Sequence, residues 1–346
     1  MTRPQILVAR RVFPQVVERL RAHFEVEDNP QDTIYTREQL TARLQGKSGA
    51  FITGSERIDG ALLDACPQLR VVCNMAVGYN NIDLAACSAR QVMATNTPGV
   101  LTETTADLGF ALMMAAARRI PEGERFLRAG RWTRWSYDMF IAPDVHGSTL
   151  GILGMGRIGQ AIARRGALGF GMKVLYHNRS RLEPALEAPL GARWVDKATL
   201  LRESDHLVLV LPYSDHTHHI IGAAELALMK PGATLTNIAR GGLVDEDALA
   251  RALQGGRLAA AGLDVFEGEP QVNPALLALD SVALTPHIGS ASLATRRAMA
   301  DLAADNLIAA LGFGPRAGRP PSLLNPELLG PGGASTRPAP PTHSGL

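Results

Sequence analysis

Residues 149–170 read TLGILGMGRIGQAIARRGALGF, an apolar run followed by three glycines and then by a helix-like segment. Gly154, Gly156 and Gly159 have the spacing of the GxGxxG motif, and strand, glycines and helix occur in the order that a dinucleotide-binding turn requires. The first glycine permits a tight turn, the second lets the backbone approach a pyrophosphate, and the third allows close helix packing. The helix N-terminus offers free N–H groups to phosphates. This stretch predicts a dinucleotide-binding α/β domain.

Further apolar runs of strand length occur along the whole chain and alternate with helix-like segments. Beyond residue 148 there are six: 149–153, 173–177, 206–210, 233–238, 260–265 and 282–285; before residue 100 there are three: 6–9, 50–53 and 70–74. Runs without polar alternation are typical of parallel sheets covered on both faces. A long apolar helix is expected from residue 102 to Pro121. The pattern predicts two doubly wound parallel-sheet α/β domains, with ligands beyond the carboxyl ends of the strands.

The composition excludes several classes of protein. The 346 residues include 35 Lys and Arg against 33 Asp and Glu, a net charge of +2, so neither nucleic acid nor an anionic membrane is the expected partner. No apolar run reaches the roughly 18 residues of a membrane span. Three cysteines suggest no disulfide framework, so we expect a cytoplasmic protein. The proline-rich end has little to bury, which predicts a flexible tail over residues 326–346.

The segment after the second of the six strands bears on the choice of cofactor. A dinucleotide without a 2′-phosphate would favour an Asp or Glu about 20 residues after the glycines, but residues 177–181 read HNRSR. The guanidinium of Arg179 can form a charge-assisted fork on a phosphate, and Asn178 and Ser180 can donate further hydrogen bonds. The pattern favours NADP (NADPH), with NAD possible at lower preference. The alternative is that Arg179 and Arg181 are ordinary solvated cations.

Residues that suit hydride transfer to a 2-keto acid follow three later strands. Arg240 can bind the substrate carboxylate and polarise the carbonyl. His287 can donate a proton, since imidazole titrates near neutral pH. A carboxylate beside the imidazole, Glu267 or Glu269, would stabilise its charged form. Singly, such an arginine is more often a surface cation and such a histidine structural, but parallel strands can bring all of them to one crevice.

Five motifs resemble those of the D-isomer-specific 2-hydroxyacid dehydrogenase family: NTPGVLTETTADLGFALMMAAARR, GILGMGRIGQAIARR, NIARGGLVDEDAL, AGLDVFEGEP and TPHIGSAS. The resemblance extends from residue 5 to about residue 325, and within the family the glyoxylate/hydroxypyruvate reductases (glycerate dehydrogenases) have the most similar pattern. It implies a catalytic set of Arg240, Glu269 and His287, with Glu269 preferred over Glu267 because it directly precedes Pro270. The implied reaction reduces glyoxylate or hydroxypyruvate to glycolate or D-glycerate.

The resemblance also implies ligand contacts. The N–H groups of Val77 and Gly78 would join Arg240 in binding the substrate, and Trp135 resembles an aromatic residue that reaches a neighbouring subunit's active site. The implied cofactor site consists of Thr105, Gly154, Gly156, Arg157, Ile158, Gly159, Asn178, Arg179, Ser180, Leu211, Pro212, Thr217, Ile238, Ala239, Asp264, His287 and Gly289. Asp264 would accept from the nicotinamide carboxamide.

The same resemblance implies a discontinuous domain arrangement. A Rossmann cofactor domain over residues 101–286 would be inserted in a flavodoxin-like substrate domain formed by residues 1–100 and 287–325. We expect the two domains to share a cleft that closes on the substrate, and the protein to be a homodimer.

Two other functions remain open from the sequence. The chain could reduce another 2-keto acid, such as 2-ketogluconate, or it could be a dinucleotide-sensing scaffold without turnover. The partner expected in the first case is again a small 2-keto or 2-hydroxy acid. The run Asp215-His216-Thr217-His218-His219 could suggest a metal site, but adjacent side chains converge poorly on one ion, so we expect no metal.

Overall fold

The computed structural model of this protein describes residues 3–329. The chain forms two compact units. One takes in the described residues up to Leu101 and again from Leu293 onward, and the other is Thr102–Ser292, which interrupts the first. Each unit contains one parallel β-sheet with helices on both of its faces, the arrangement of a doubly wound α/β fold.

The first unit contains a five-stranded sheet. Its strands are β1 (Gln5–Val8), β2 (Glu25–Asp28), β3 (Gly49–Ile52), β4 (Val71–Asn74) and β5 (Met93–Thr95). All pairings are parallel, and the spatial order is β2-β1-β3-β4-β5. This is the flavodoxin-like strand order, in which the direction of winding reverses between β1 and β3.

The second unit contains a seven-stranded sheet. Its strands are β6 (Thr149–Leu153), β7 (Lys173–His177), β8 (Arg193–Trp194), β9 (His206–Leu209), β10 (Ala233–Asn237), β11 (Leu258–Leu263) and β12 (Val282–Leu284). The order β12-β11-β10-β9-β6-β7-β8 is the Rossmann order with one additional strand. The winding reverses between β6 and β9, so a dinucleotide would bind beyond the carboxyl ends of these strands.

The helices connect and cover the strands. In chain order they are α1 (Pro14–Arg21), α2 (Arg37–Leu44), α3 (Gly60–Ala65), α4 (Leu84–Ala89), α5 (Thr102–Ala117), α6 (Ile120–Arg128), α7 (Arg157–Arg164), α8 (Pro184–Glu187), α9 (Lys197–Glu203), α10 (Ala223–Leu228), α11 (Glu246–Gln254), α12 (Pro274–Leu277) and α13 (Leu293–Ala310). Four helices begin after an aspartate whose side chain accepts an N–H of the first turn: Asp59, Asp83, Asp196 and Asp245. Along residues 3–329, no helix combines the length and apolar character of a membrane span.

Alternate residues of the central strands pack on opposite faces of each sheet. In β1, Leu7 packs with α2 to α4, whereas Ile6 and Val8 pack with α1 and α13. In β9, Leu207 and Val208 likewise belong to two different clusters. Burial on both faces explains why these strands appear in the sequence as continuous apolar runs.

Sequence reasoning missed three strands, and all three lie at sheet edges. β2 and β5 are the outer strands of the first sheet, and the two-residue β8 is an outer strand of the second. β2 reads EVED and β8 reads RW, and both are at least partly exposed. Neither contains an apolar run, so the expectation of six strands in the second sheet is wrong by one.

The helix predicted to stop at Pro121 is two helices. α5 ends at Ala117, Arg119 adopts a left-handed φ of 53°, and α6 begins at Ile120 with Pro121 in its first turn. Proline is tolerated there because the first N–H groups of a helix have no intrahelical partner. Pro121 therefore starts a helix rather than ending one.

The predicted tail begins inside a folded segment. Pro326–Leu329 form a 3₁₀ turn, and Glu327 accepts a 2.5 Å hydrogen bond from the Ser88 hydroxyl. The side chain of Asn325, just before it, is buried and bonds the backbone of Val92 and Ala94. The rest of the predicted tail, residues 330–346, lies outside the described residues.

Candidate active site

The predicted catalytic residues follow three neighbouring strands. Arg240 follows β10, Glu269 follows β11 and His287 follows β12, and these strands are adjacent in the second sheet. Because neighbouring parallel strands end at the same edge, residues distant in sequence meet there. His287 is hydrogen-bonded to Glu269, and Arg240 is close enough to Glu269 to interact with its charge.

The carboxylate of Glu269 is held at both oxygens. Its Oε2 lies 2.7 Å from Nδ1 of His287, and its Oε1 accepts a 2.9 Å bond from the N–H of Phe266. Burial by itself would raise the pKa of Glu269, but these bonds and the charge of Arg240 hold it below its ordinary value. The carboxylate is therefore ionised at neutral pH. When Nδ1 of His287 donates to it, Nε2 is the nitrogen left for a reactant.

Asp264 shapes the loop that carries His287. His287 has a left-handed φ of 52°, which is uncommon for a residue other than glycine. The carbonyl of Asp264 accepts its N–H at 2.9 Å, and the Asp264 carboxylate accepts the N–H groups of Ile288 and Gly289, each at 2.8 Å. Burial raises the pKa of Asp264, against the effect of these bonds. Holding the histidine loop is thus a role of Asp264 within the protein itself.

The turn that carries Arg240 depends on Asn237, a residue that sequence reasoning missed. The buried Asn237 side chain donates to the carbonyl of Arg240 at 2.8 Å and accepts from the N–H of Ala239 at 3.1 Å. Burial lowers the pKa of Arg240 and Glu269 opposes that shift, but a guanidinium remains charged at neutral pH. Asparagine at a strand end is a known turn former, which is the signal that could have identified it.

The turn after β10 packs directly on the loop that carries Glu269. A Cβ on Gly241 would lie 1.8 Å from the carbonyl carbon of Phe266, so only glycine fits there. The buried carboxylate of Glu246 accepts a 2.7 Å bond from the N–H of Glu267 and holds the same loop from another side. Backbone packing therefore sets the separation of the two loops.

The three glycines of the GxGxxG turn occupy different environments. Gly154 has a φ of 104°, and a Cβ there would lie 2.7 Å from backbone atoms of Val210 and Leu211. A Cβ on Gly159 would lie 2.4 Å from the carbonyl oxygen of Gly154, whereas one on Gly156 would meet no atom within 4 Å. The protein's own packing requires the first and third glycines. The open space at Gly156 is what the close approach of a ligand requires.

The helix after this turn has an uncapped N-terminus. α7 begins at Arg157, and no side chain of the described residues caps it. The first N–H groups, including that of Ile158, lack intrahelical partners. They suit a pyrophosphate, so this end of α7 fits the dinucleotide that the sequence predicts.

The loop after β7 uses its polar side chains differently from the expectation. Oδ1 of Asn178 accepts a 2.7 Å bond from the N–H of Met155, so this side chain anchors the glycine turn. Arg181 is exposed and is paired with the carboxylate of Glu187. Arg179 and Ser180 are exposed, and Arg179 forms no ion pair with any residue in the described range. These two side chains are presented to solvent.

The loop after β9 contains three more of the predicted cofactor residues, Leu211, Pro212 and Thr217. The Thr217 hydroxyl donates to the carbonyl of Pro212 at 3.1 Å and accepts from the N–H of Ser214 at 2.7 Å, so the loop is closed by its own bonds. The backbone N–H of Leu211 lies beside Gly154, as described above.

The last group of predicted cofactor residues surrounds the catalytic loops. Ile238 and Ala239 directly precede Arg240, and Ile238 is buried. Thr105 of α5 lies beside the histidine loop, since a Cβ on Gly289 would be 3.4 Å from Thr105 Cγ2. The contacts of these residues with a cofactor stay predictions.

The predicted substrate loop lies in the first unit, after β4. Asn96 donates to the carbonyl of Val77 at 2.8 Å, and Asn74 donates to the carbonyl of Gly78 at 3.0 Å. These bonds fix the orientation of both peptide groups. Binding of a substrate carboxylate by the N–H groups of Val77 and Gly78 stays a prediction.

One cluster in the second unit has the composition of a metal site. His218, His219 and Glu267 bring potential ligand atoms within 4.8 Å of one another, with Nε2 of His219 2.8 Å from Oε2 of Glu267. The two imidazole rings are stacked, with centroids 3.8 Å apart and planes at 24°. Because a nitrogen lone pair lies in the plane of its ring, two stacked rings hold their lone pairs in separate, nearly parallel planes, which disfavours convergence on one ion. The geometry favours a hydrogen bond between His219 and Glu267.

Comparison with known proteins identifies the family. Residues 110–289 match the family described as D-isomer specific 2-hydroxyacid dehydrogenase, NAD binding domain. The chain is 46% identical over 332 residues to a glyoxylate reductase of Thermococcus onnurineus, covering 94% of this chain and 97% of that one. The chain belongs to the D-isomer-specific 2-hydroxyacid dehydrogenase family. It is an NAD(P)-dependent enzyme acting on a small 2-keto or 2-hydroxy acid.

Solved structures give the same result. A glyoxylate reductase from Paecilomyes thermophila superposes with a TM-score of 0.84 at 34% identity, covering 94% of this chain and 99% of that chain. An NADPH-dependent glyoxylate/hydroxypyruvate reductase from Sinorhizobium meliloti, in complex with NADP and malonate, superposes with a TM-score of 0.80 at 37% identity, covering 93% and 97%. The family and the fold class predicted from the motifs are confirmed.

Proposed function

We propose that this protein reduces glyoxylate and hydroxypyruvate to glycolate and D-glycerate with NADPH. The observation that carries the proposal is the 2.7 Å hydrogen bond between His287 Nδ1 and Glu269 Oε2. Arg240 follows β10, the strand next to β11, which precedes Glu269. A glyoxylate reductase at 46% identity and a structural neighbour named as an NADPH-dependent glyoxylate/hydroxypyruvate reductase support the substrate and the cofactor.

In this proposal His287 and Glu269 supply the proton. His287, protonated on both nitrogens, gives its Nε2 proton to the carbonyl oxygen of the substrate while Nδ1 stays bonded to Glu269. The negative charge of Glu269 stabilises the imidazolium before transfer and keeps the ring orientation fixed after it. In the oxidation direction the neutral imidazole accepts the same proton.

Arg240 binds and polarises the substrate. Its guanidinium pairs with the carboxylate and draws electron density from the adjacent carbonyl, which favours attack at the carbonyl carbon. The N–H groups of Val77 and Gly78 donate to the same carboxylate. Small residues in that loop let the backbone come close to a small acid. In this proposal residues 1–100 and 287–325 form the substrate domain, although the histidine loop at residues 287–292 belongs to the second unit of the structure.

Residues 101–286, with the histidine loop, would hold the cofactor. The open space at Gly156 and the uncapped start of α7 at Arg157 and Ile158 fit a pyrophosphate, and the exposed Arg179 and Ser180 fit a 2′-phosphate. Further contacts are assigned to Thr105, Gly154, Gly159, Asn178, Leu211, Pro212, Thr217, Ile238, Ala239, Asp264 and Gly289. When bound, NADPH supplies the hydride that adds to the carbonyl carbon.

The exposed segment after α6 supports a homodimer. Trp132, Trp135 and Tyr137 are 54%, 75% and 83% exposed, an amount of exposed aromatic surface typical of an interaction site. We assign this segment to a second copy of the chain, with Trp135 reaching that copy's active site. The three cysteines are buried and free, which is consistent with the reducing cytoplasm in which we place the protein.

A substrate panel tests the proposed function. The purified protein is assayed with glyoxylate, hydroxypyruvate, 2-ketogluconate and pyruvate, each with NADPH and with NADH. The proposal expects the highest kcat/KM for glyoxylate or hydroxypyruvate with NADPH. A clear preference for NADH would refute the cofactor assignment, and preference for another keto acid would refute the substrate. Dinucleotide binding without turnover on the whole panel would indicate a sensing scaffold.

A further inference from the structure

The segment from β7 to α8 contains a hydrogen-bond network, centred on a buried carboxylate, that the proposed catalysis does not use. The hydroxyl of Tyr176 donates to Oε1 of Glu187 at 2.6 Å and accepts from the N–H of Leu182 at 2.7 Å. Arg181 donates from Nε to Oε1 of Glu187 at 2.9 Å and from Nη2 to Oε2 at 2.6 Å. We call these residues the Tyr176–Arg181–Glu187 network.

Glu187 depends on these partners because its side chain is buried. It is 5% exposed and Tyr176 is fully buried, so loss of a partner would leave a buried carboxylate incompletely satisfied. The bond from Arg181, followed by the bond from Tyr176, lowers the pKa of Glu187. Burial, followed by the bond to Glu187, raises the pKa of Tyr176 to about 12. At neutral pH the network is thus a carboxylate between a guanidinium and a protonated hydroxyl.

This network fixes one end of the short loop after β7, and a different bond fixes the other end. Asn178 is bonded to Met155 of the glycine turn, while Arg181 and Leu182 are held by the network. Arg179 and Ser180 lie between the two anchors with exposed side chains. A loop that is anchored on both sides loses little further conformational entropy when it binds a ligand.

We infer that the Tyr176–Arg181–Glu187 network is a positioning device that presents Arg179 and Ser180 to the 2′-phosphate of NADPH, and that Arg181 itself is not a phosphate ligand. The inference rests on the proposed use of NADPH. According to this inference, Glu187 and Tyr176 determine cofactor selectivity although both side chains are buried. The sequence HNRSR contains two arginines, and in the structure one of them, Arg181, is paired with Glu187.

The opposite role for Arg181 makes the opposite prediction. If Arg181 were a direct phosphate ligand, weakening its pair with Glu187 would release a second cation, and NADPH would bind more tightly. If Arg181 holds the loop, weakening the pair loosens Arg179, and NADPH binds more weakly. Glu187→Gln and Tyr176→Phe change the network with little change in side-chain volume, so the direction of the effect is the test.

The experiment measures Kd for NADPH and NADH by fluorescence titration of the full chain, with no keto acid present. We expect Glu187→Gln and Tyr176→Phe each to weaken NADPH binding by about three- to tenfold, the range for one or two weakened phosphate contacts. NADH affinity should remain within about twofold, because NADH lacks the group that Arg179 binds. Arg179→Gln should bring the two affinities close together.

Glu203→Gln is the matched control. Glu203 pairs with Arg193 at 2.7 Å in the same unit but outside the loop, so its loss removes one Arg–Glu pair without touching the network. It should leave both Kd values unchanged. Thermal unfolding of every variant shows whether it is folded. If one of the two network variants does not fold, the other alone is enough to test the inference.

The outcomes separate this inference from the proposed function. A wild-type protein that binds NADH as tightly as NADPH would overturn the proposed cofactor and the inference with it. A wild-type protein that prefers NADPH, but whose preference is unchanged or increased by Glu187→Gln and Tyr176→Phe, would overturn the inference alone. Equal weakening of NADPH and NADH would also overturn it, since that result indicates general damage to the site.

Discussion

Alanine substitutions at Gly156 and Gly159 should separate cofactor binding from folding. A Cβ on Gly159 would lie 2.4 Å from the Gly154 carbonyl oxygen, about 1 Å inside ordinary contact distance, so the backbone must move. Such overpacking costs about 1–3 kcal/mol, offset by at most about 1 kcal/mol of helix propensity. A Cβ on Gly156 meets nothing within 4 Å, and its backbone is extended with φ −79°, so Gly156→Ala should change stability by less than about 0.5 kcal/mol.

The assay is urea unfolding without cofactor, together with NADPH titration. Gly156→Ala should unfold like the wild type but bind NADPH about tenfold more weakly or worse, because its methyl group occupies space assigned to the pyrophosphate. Gly159→Ala should be less stable even without cofactor. Gly123→Ala in α6, also with nothing within 4 Å, is the control: it should bind NADPH normally and be at least as stable as the wild type. A Gly156→Ala protein that is as destabilised as Gly159→Ala, or that binds NADPH normally, would refute the assignment of this space to the pyrophosphate.

Three further results are expected. Glu269→Gln should lower kcat by about 10²-fold or more, because an uncharged amide holds Nδ1 of His287 more weakly and can bind the wrong tautomer of the ring; a kcat equal to that of the wild type would contradict this. The pKa of Glu269 is lowered in the folded protein. The stability that Glu269 contributes is therefore present above its ordinary pKa and is lost as the pH falls through the lowered value. Glu269→Gln lacks this contribution, so its free energy of unfolding should fall less than that of the wild type over that pH interval. The cysteines should react very slowly with a thiol reagent, since burial raises the pKa of Cys73 to about 12 and of Cys87 to about 11; fast labelling of the native protein would show that these thiols are accessible.

The fold was predictable where the sequence pattern reflects burial on both sides of a sheet. The central strands are continuous apolar runs, and the glycine turn with its flanking strand and helix defines the second unit. The edge strands were not predictable in this way. They are short and partly exposed, and their place is set by pairing with a neighbour distant in the chain.

The site was predictable in its residue types but not in its pairings. Sequence chemistry alone could not choose between Glu267 and Glu269, and the resemblance to the family selected Glu269. In the structure Glu269 contacts His287, whereas the carboxylate of Glu267 contacts His219. Such choices depend on the conformation of a few loop residues, which apolar periodicity does not encode.

The loop after β7 shows the same limit. Asn178, Arg179, Ser180 and Arg181 are all plausible phosphate donors from their chemistry. Two of them are bonded within the protein, to Met155 and to Glu187. Glu187 lies in a later helix with no sequence pattern that links it to Arg181, so only the three-dimensional structure shows which arginine is paired with a carboxylate.

In the proposed mechanism His287, held by Glu269, donates the proton during reduction of a 2-keto acid. The most direct measurement is the single-turnover rate of NADPH oxidation with saturating glyoxylate, for the wild type and for His287→Ala, with NADPH affinity determined on the same preparations. We predict that the rate falls by about 10²- to 10⁴-fold while the NADPH affinity stays within a few-fold of the wild type. A variant that oxidises NADPH at the wild-type rate would contradict the claim.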